Sequence, residues 1–418
     1  MQFIKALFAT ALLLISLSGF SQNIQYAKSI VDSFTSPSFH GRGYVNDGEK
    51  TAAEFIAGEF EKSKLKLFGE SYFQAFALPM NTFPDTIDVF VDGKRLVPGR
   101  DFVLSSSSPS FDGEFEMLWF MKDTSGVPRF DKNMDTTSID RKVIVTDMNA
   151  RKFPYENHNP KGYVFLQDEK TMWHVSDGWK VKDFFSLQIV ESKISRENKI
   201  LRLKYKNRFF EEYPTQNVIG YIEGKKRPNS YFVFTAHYDH LGQMGPEAYF
   251  PGGNDNASGS AMLLDLVRYY SQSENQPDIS IAFMAFSAEE AGLLGSRFYT
   301  ENPLFPLKQI KFLVNLDMVG SGSKGIKVVN GSVFKKQFDK LVKINRKNEY
   351  LLKVNTRGEA ANSDHYFFYE KGVPSFFIYT LGPECIEYHN IYDDSKNVPF
   401  TEYEDLFRLL VEFEKTFK

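Results

Sequence analysis

The strongest constraint on the fold is the alternation of apolar runs and amphipathic stretches that begins near residue 217. Four runs have the length of strands and are apolar almost throughout: 231–236, 279–286, 310–316 and 375–379. Four stretches carry apolar residues at helical spacing: 258–270, 293–299, 334–346 and 403–417. Strands that are apolar on both faces need cover on both faces. We therefore predict an α/β fold in which helices flank a mostly parallel central sheet.

The first half of the chain has a different texture and predicts a second folding unit. Residues 22–80 show helical periodicity around the turn-rich segment 39–43, and we expect this lead-in to belong to the α/β domain at 207–418. Residues 81–206 instead consist of short alternating runs separated by turn sequences. We predict a β-rich insert there.

The N-terminal residues 1–21 have the pattern of a secretory signal peptide. Lys5 precedes an apolar run at 6–17 that is short for a bilayer span, and small residues follow it. We predict cleavage before Gln22 and export to the periplasm or the cell exterior. The alternative is an uncleaved N-terminal anchor. Elsewhere no run is long and apolar enough to predict a membrane span.

Composition narrows the function classes further. The net charge of −3 comes from 53 acidic and 50 basic residues without a basic block, which argues against nucleic-acid binding. Because Cys385 is the single cysteine, an exported chain of this length must be stable without disulfides, as a large core permits.

Side chains that can bind metals follow three of the predicted strands. His237 and Asp239 come after the first run, Glu289 and Glu290 after the second, and Asp317 after the third. The carboxyl ends of parallel strands form the edge at which α/β sheets bind ligands. We therefore expect these side chains to lie close together.

Two further candidates come from loops. Asp255 lies in a glycine-rich turn that opens a predicted helix, and His389 follows the last strand. Each pattern alone has an ordinary structural explanation, such as an Asx turn or a favourable charge at a helix start. Their recurrence at successive strand ends favours a metal site, and nitrogen and oxygen donors of this kind suit a pair of zinc ions.

The motifs occur in the order found in a known family. They are Ala-His-Tyr-Asp at 236–239, Asn-Asp-Asn-Ala-Ser-Gly at 254–259, Ala-Glu-Glu-Ala-Gly at 288–292, Asn-Leu-Asp-Met-Val-Gly at 315–320 and Tyr-His at 388–389. This series resembles the two-zinc aminopeptidase family of zinc exopeptidases, which also includes glutamate-carboxypeptidase-like, glutaminyl-cyclase-like and transferrin-receptor-like proteins. The resemblance covers about residues 217–418. Segment 39–43 resembles the lead-in of secreted bacterial members, and the insert lies where relatives often carry a protease-associated domain.

The resemblance implies a ligand set for two zinc ions per chain. His237 and Asp317 would hold one ion, Glu290 and His389 would hold the other, and Asp255 would bridge them. Such an enzyme would act on peptides with a free N-terminus.

The same resemblance implies three catalytic roles. Glu289 would be the general base that takes a proton from the attacking water. Asp239 would orient His237, and Tyr388 would donate a hydrogen bond to the oxyanion.

Other residues are weaker candidates. The Ser363-Asp364-His365 segment either lines the substrate pocket or caps a helix over 364–371. His240 is close to the motif, but its spacing from His237 does not fit the family pattern. Four aromatic residues are candidates for an apolar specificity pocket or for the core: Tyr249, Phe250, Phe376 and Tyr379.

Three alternatives to an aminopeptidase remain at this point. A carboxypeptidase would need an arginine pair in the pocket, and Arg357 is the one arginine near the segments expected to form it. A glutaminyl cyclase would use a single zinc ion. A receptor-like member would have lost ligands, whereas this sequence retains each expected one.

Overall fold

The computed structural model describes residues 23–123, 125–131, 134–147 and 159–417. The predicted signal peptide at 1–21 lies outside the described residues. Within the described part of the chain, every helix lacks the length and apolar character needed to cross a bilayer.

Two sets of regular elements define the fold. The strands are β1 (Phe73–Thr82), β2 (Asp88–Val91), β3 (Lys94–Arg95), β4 (Phe102–Leu104), β5 (Phe111–Lys122), β6 (Pro128–Phe130), β7 (Val143–Thr146), β8 (Gly162–Gln167), β9 (Phe185–Val190), β10 (Ile200–Tyr205), β11 (Arg208–Ile222), β12 (Arg227–His237), β13 (Gly242–Met244), β14 (Ala248–Phe250), β15 (Ile279–Phe286), β16 (Ile310–Leu316), β17 (Ile326–Val329), β18 (Val354–Thr356) and β19 (Ser375–Thr380). The α-helices are α1 (Ile24–Phe34), α2 (Gly48–Lys62), α3 (Gly259–Tyr270), α4 (Leu294–Glu301), α5 (Lys335–Asn348), α6 (His365–Glu370) and α7 (Tyr403–Glu414).

The main sheet has the strand order β1-β11-β15-β12-β16-β19-β17-β18. Its centre, β15-β12-β16-β19, is parallel throughout, which confirms the predicted α/β class. The edges differ from the prediction, because β1, β11 and β15 pair antiparallel and β17 pairs antiparallel with β19. Only the four central strands were continuous apolar runs in the sequence, since edge strands are covered less completely.

Helices cover both faces of this sheet. Alternate residues of β12 point to opposite faces, so Phe232 and Phe234 pack in one core and Val233 packs in the other. The larger core takes apolar residues from α1, α2, α3 and α7, and the smaller core takes Tyr299 of α4 and Phe368 of α6. This double cover fixes the carboxyl ends of the parallel strands.

A second sheet has the order β3-β2-β10-β5-β7-β8-β9-β4, with β6 beside β5. It lies within the segment for which a β-rich insert is predicted. Its core is continuous with residues of the α/β part, including Tyr44, Leu241, Met244 and Phe250. The hairpin β13–β14 and the second sheet therefore share buried apolar surface.

Candidate metal centre

Three neighbouring strands bring the first donors together. His237 ends β12 and pairs in register with Phe286, the last residue of β15, while Thr235 pairs with Asn315 of β16. The chain leaves all three strands at the same edge, as expected for parallel neighbours. As a result, Nε2 of His237 lies 3.4 Å from Oδ1 of Asp317.

The carboxylate of Asp255 lies between two groups of donors. Its Oδ1 is 3.4 Å from Nε2 of His237, and its Oδ2 is 3.1 Å from Nε2 of His389. Nε2 of His389 is also 3.2 Å from Oε2 of Glu290. The structure thus brings together the five residues that the sequence proposed as metal ligands.

In the loop that carries Asp255, the backbone at Gly252 approaches the Asp255 carbonyl oxygen closely. Gly252 has a φ of +61°, and a Cβ atom there would lie 2.3 Å from the Asp255 carbonyl oxygen. Both carboxylate oxygens of Asp393 accept backbone N–H groups, from Asn254 at 2.8 Å and from Asp255 at 3.1 Å. These contacts hold the Asp255 side chain toward the two histidines.

Glu289 and Glu290 are oriented through Asp239. The Asp239 carboxylate accepts the backbone N–H of Glu289 at 3.1 Å and that of Glu290 at 3.3 Å. Nδ1 of His237 is closer to the Asp239 carbonyl oxygen, at 3.1 Å, than to its carboxylate, at 3.7 Å. Oε2 of Glu289 lies 4.0 Å from Nε2 of His237, which puts this carboxylate at the edge of the ligand cluster.

Ser363 supports a proposed ligand instead of capping a helix. Its hydroxyl donates to Oδ2 of Asp317 at 2.8 Å and accepts from the Asn315 amide at 2.7 Å. Ser363, Asp364 and His365 are all fully buried, and Asp364 is the residue that precedes α6, so the capping alternative for Ser363 is wrong. Neither alternative included a bond to the end of β16, where Asn315 and Asp317 are the partners of Ser363.

Arg42, in the turn-rich segment before α2, contacts the loop that carries Asp255, and the sequence motifs gave no sign of this. Its guanidinium is completely buried and donates to the backbone carbonyls of Phe34, Tyr238, Pro251, Gly252 and Asp255. Burial lowers its pKa to about 10, although nearby carboxylates oppose the shift. Arg42 therefore ties the end of β12 to the loop that carries Asp255.

The second sheet also reaches the cluster. Nδ1 of His389 lies 3.1 Å from the Trp173 carbonyl oxygen and 3.1 Å from Nδ1 of His174. The Trp173 N–H in turn donates to the His389 carbonyl at 2.9 Å. No sequence signal singled out Trp173 or His174, because their closeness to His389 arises from long-range packing.

Two residues beside the expected ligands have distinct positions. Tyr388 is 40% exposed, and its ring stacks on that of His389 with centroids 3.8 Å apart. His240, which sequence spacing set aside, is buried with Nδ1 2.7 Å from Oε1 of Glu290. His240, Asp255 and Glu290 form one group close enough to hold an ion, and His237, Glu289 and Asp317 form another.

The aromatic residues considered for a specificity pocket divide into two kinds. Phe250 and Phe376 are fully buried in the two main cores, so a role for them in an open pocket is wrong. Tyr249 and Tyr379 are partly exposed. Apolar packing decides the place of the two phenylalanines, since neither carries a polar group that needs a partner.

The charges of the cluster suit a divalent cation. Burial first, and then the charges of Glu290 and Asp317, raise the pKa of Glu289 well above its ordinary value. Burial alone would lower the pKa of His237, but Glu289 and Asp317 outweigh it and raise that pKa well above its ordinary value. A bound cation would relieve this crowding of carboxylates.

The donor atoms also fit zinc. Nε2 of His237 and Oδ1 of Asp317 are buried and face each other, yet neither has a hydrogen-bond partner among the described residues. Imidazole nitrogen and carboxylate oxygen are common zinc ligands, and zinc would satisfy both atoms. The residues present therefore fit this metal.

Sequence comparison identifies related proteins. The profile described as peptidase family M28 matches residues 217–413. Aminopeptidase YwaD of Bacillus subtilis is 30% identical over 198 residues, which is 45% of this chain and 42% of that protein. Leucine aminopeptidase 1 of Trichophyton rubrum is 28% identical over 221 residues, 49% of this chain and 58% of that protein. The matched region thus spans less than two thirds of either relative.

A solved structure shares the whole architecture. The zinc aminopeptidase BSAP of Bacillus subtilis superposes with a TM-score of 0.70 at 21% identity, covering 94% of this chain and 95% of that one. At this identity the likeness concerns the fold. The coverage extends over nearly the full length of each chain.

Proposed function

Because residues 217–413 belong to peptidase family M28, we propose that this chain is a zinc-dependent aminopeptidase that removes N-terminal residues from peptides. The observation that carries the proposal is the position of Asp255, whose two carboxylate oxygens face His237 on one side and His389 on the other. A carboxylate shared in this way suits two ions, with Asp317 and Glu290 completing the two groups.

The catalytic work is divided among residues at the edge of the cluster. Two bound zinc ions would lower the pKa of a bound water molecule and polarise the scissile carbonyl. Glu289 accepts a proton from the attacking water and passes it to the leaving amine, while the contact of its backbone with Asp239 holds it in place. Tyr388 donates a hydrogen bond to the oxygen that gains negative charge.

The charge of the site favours a free amino terminus over a free carboxylate. The carboxylates around the cluster make its rim negative, which attracts an α-ammonium group. Arg42 is the arginine closest to the ligands in the described contacts, but it is buried and bonded to carbonyl oxygens. Arg357 is exposed beyond the edge strand β18. Neither supports the carboxypeptidase alternative.

We further propose that the chain is exported. The support is the signal-like pattern of residues 1–21. Cell fractionation and N-terminal sequencing of the mature protein test this, and a mature chain that starts at Met1 inside the cell would contradict it.

The enzymatic proposal is tested with zinc-loaded protein and matched pairs of peptides. Each peptide is supplied with a free and with an acetylated N-terminus, and released amino acids are quantified. We expect release of the first residue from the free peptides only. Cleavage from the carboxyl end, or cyclisation of N-terminal glutamine without hydrolysis of other peptides, would identify one of the alternatives instead.

A further inference from the structure

One loop of the second sheet extends to the edge of the candidate metal centre. We call residues 171–182 the Trp179 loop. It is anchored at several points: the Asn81 N–H donates to the Gly178 carbonyl at 2.8 Å, and the Lys182 N–H donates to the Ser107 carbonyl at 2.9 Å. The backbone pairing of Trp173 with His389 adds a third anchor. The loop is therefore held in one position relative to the cluster.

Within this loop, Trp179 contacts the segment that follows the two glutamates. Its indole Nε1–H donates to the Ala291 carbonyl at 2.7 Å. A Cβ atom on Gly292 would lie 2.9 Å from Cζ2 of the indole, and Gly292 has a φ of +114°. The indole thus lies directly against the backbone of Ala291 and Gly292, two and three residues after Glu289, and a side chain in place of Gly292 would displace it.

The free part of this indole is apolar. Trp179 as a whole residue is 44% exposed, and because its N–H group is already bonded to protein, the part of the ring that meets solvent is carbon. The other tryptophans, Trp119 and Trp173, are only 2% and 4% exposed. An aromatic ring that is held against the segment following Glu289 and Glu290 is suited to contact with an apolar ligand group, since little conformational entropy remains to be lost.

We propose that Trp179 is a specificity-determining residue, against which an apolar substrate side chain next to the scissile bond packs. The inference rests on the proposed aminopeptidase function and names its substrate class, peptides with an apolar residue at that position. The side chain belongs either to the first residue or to the second, and the experiments below separate these two sources.

The first experiment compares kcat/KM on peptides that carry Leu or Gly at the first or at the second position. We expect Trp179→Ala to reduce the preference for Leu about tenfold at one of these positions, with zinc content unchanged, because contact between the side chain and the indole is lost. Trp179→Phe should keep most of the preference. Val181→Ala, an exposed position on the same loop, is the matched control and should leave the preference as in the wild type.

An equal loss on every peptide, or an unchanged preference in Trp179→Ala, overturns the inference. If the wild type cleaves none of the peptides, the proposed function itself has failed. The inference alone fails when the wild type prefers Leu and the Trp179→Ala variant retains that preference.

A second measurement does not depend on turnover. Acrylamide quenching of tryptophan fluorescence is recorded for Glu289→Gln and for the double variant that combines Glu289→Gln with Trp179→Phe. The difference in quenching between the two proteins reports on Trp179, since the other two indoles are buried. The probes are the dipeptides Leu-Gly, Gly-Leu and Gly-Gly. Protection by Leu-Gly assigns the contact to the first residue, and protection by Gly-Leu assigns it to the second. Absence of protection by both, or equal protection by Gly-Gly, contradicts the inference.

Discussion

His174, in the Trp179 loop between β8 and β9, lies with its Nδ1 atom 3.1 Å from Nδ1 of His389. The opposite nitrogen of His389, Nε2, faces Asp255 and Glu290. A histidine that binds a metal through Nε2 carries its proton on Nδ1 and needs an acceptor for it. Both acceptors within 3.1 Å, the His174 ring and the Trp173 carbonyl, come from the Trp179 loop. The second sheet therefore helps to orient a proposed ligand of the α/β domain.

This contact predicts a weakened affinity for zinc in His174→Ala. We expect the Kd for zinc to increase about tenfold. This is the lower end of the range for losing a contact that orients a metal ligand, because the Trp173 carbonyl still accepts the His389 proton. Titration against a chelator of known affinity measures the change, with circular dichroism to verify folding. His174→Gln keeps an acceptor and should bind zinc as the wild type does. Equal affinities for all three proteins would show that Trp173 alone orients His389.

The proposed base predicts the behaviour of Glu289→Gln. Loss of the proton acceptor should lower kcat about 10³-fold, since general base catalysis contributes on this scale. The zinc content should stay at the wild-type value, because Glu289 lies at the edge of the cluster and not between the two histidines. Kinetics and metal analysis on the same preparation check both parts. A variant that loses zinc would instead assign Glu289 to the ligand set.

Arg42→Lys should reduce the stability of the protein. An ammonium group has three donors and cannot reach five carbonyls on separate segments, so several buried acceptors lose their bonds. We expect the free energy of unfolding to fall by about 3 kcal/mol. Urea denaturation measures it. The control is Arg196→Lys, at an exposed ion pair with Asp131, for which the change should stay within about 0.5 kcal/mol. Similar losses in both variants would contradict the structural role of Arg42.

Glu414 predicts a pH dependence of stability far from the metal centre. Burial raises the pKa of this carboxyl to about 7, with the Tyr270 hydroxyl at 3.2 Å as its partner. The folded state therefore binds the proton more tightly than the unfolded state, whose pKa is near 4.5. The contribution of Glu414 to the free energy of unfolding is fully favourable below pH 4.5 and is lost as the pH rises through 7.

In Glu414→Gln this dependence disappears. At pH 8 the variant should be more stable than the wild type by up to about 3 kcal/mol, while at pH 4.5 the two should differ little. Urea denaturation at both pH values tests the difference. Glu404→Gln, at a partly exposed position on the same helix, serves as the control, since Glu404 forms only a loose pair with Arg408. A constant difference between Glu414→Gln and the wild type across this range would refute the assignment.

The central part of the fold was predictable because its signals are local. The apolar runs that became β12, β15 and β16 were visible in the sequence, and parallel pairing alone brings their carboxyl ends to one edge. That placement made His237, Glu290 and Asp317 neighbours before any distance was known. The short edge strands β17 and β18 escaped prediction, because three or four residues show too little periodicity.

The supporting contacts could not be predicted for a different reason. His174, Trp179 and Arg42 act on residues more than 100 positions away, and their partners include backbone carbonyls, which leave no mark in the sequence. His240 was set aside on spacing, yet packing brings its ring against Glu290. Such contacts depend on how separate elements dock, and composition and spacing carry no information about docking.

The apolar core that the second sheet shares with the β13–β14 hairpin limits how this chain could be recombined with others. Leu241, Met244 and Phe250 are buried against that sheet. Excising 88–205 would therefore leave an exposed apolar patch beside His240. A chimaera with a foreign module would have to carry a matching hairpin as well. The two halves of the protein are accordingly expected to evolve as one unit across this shared core.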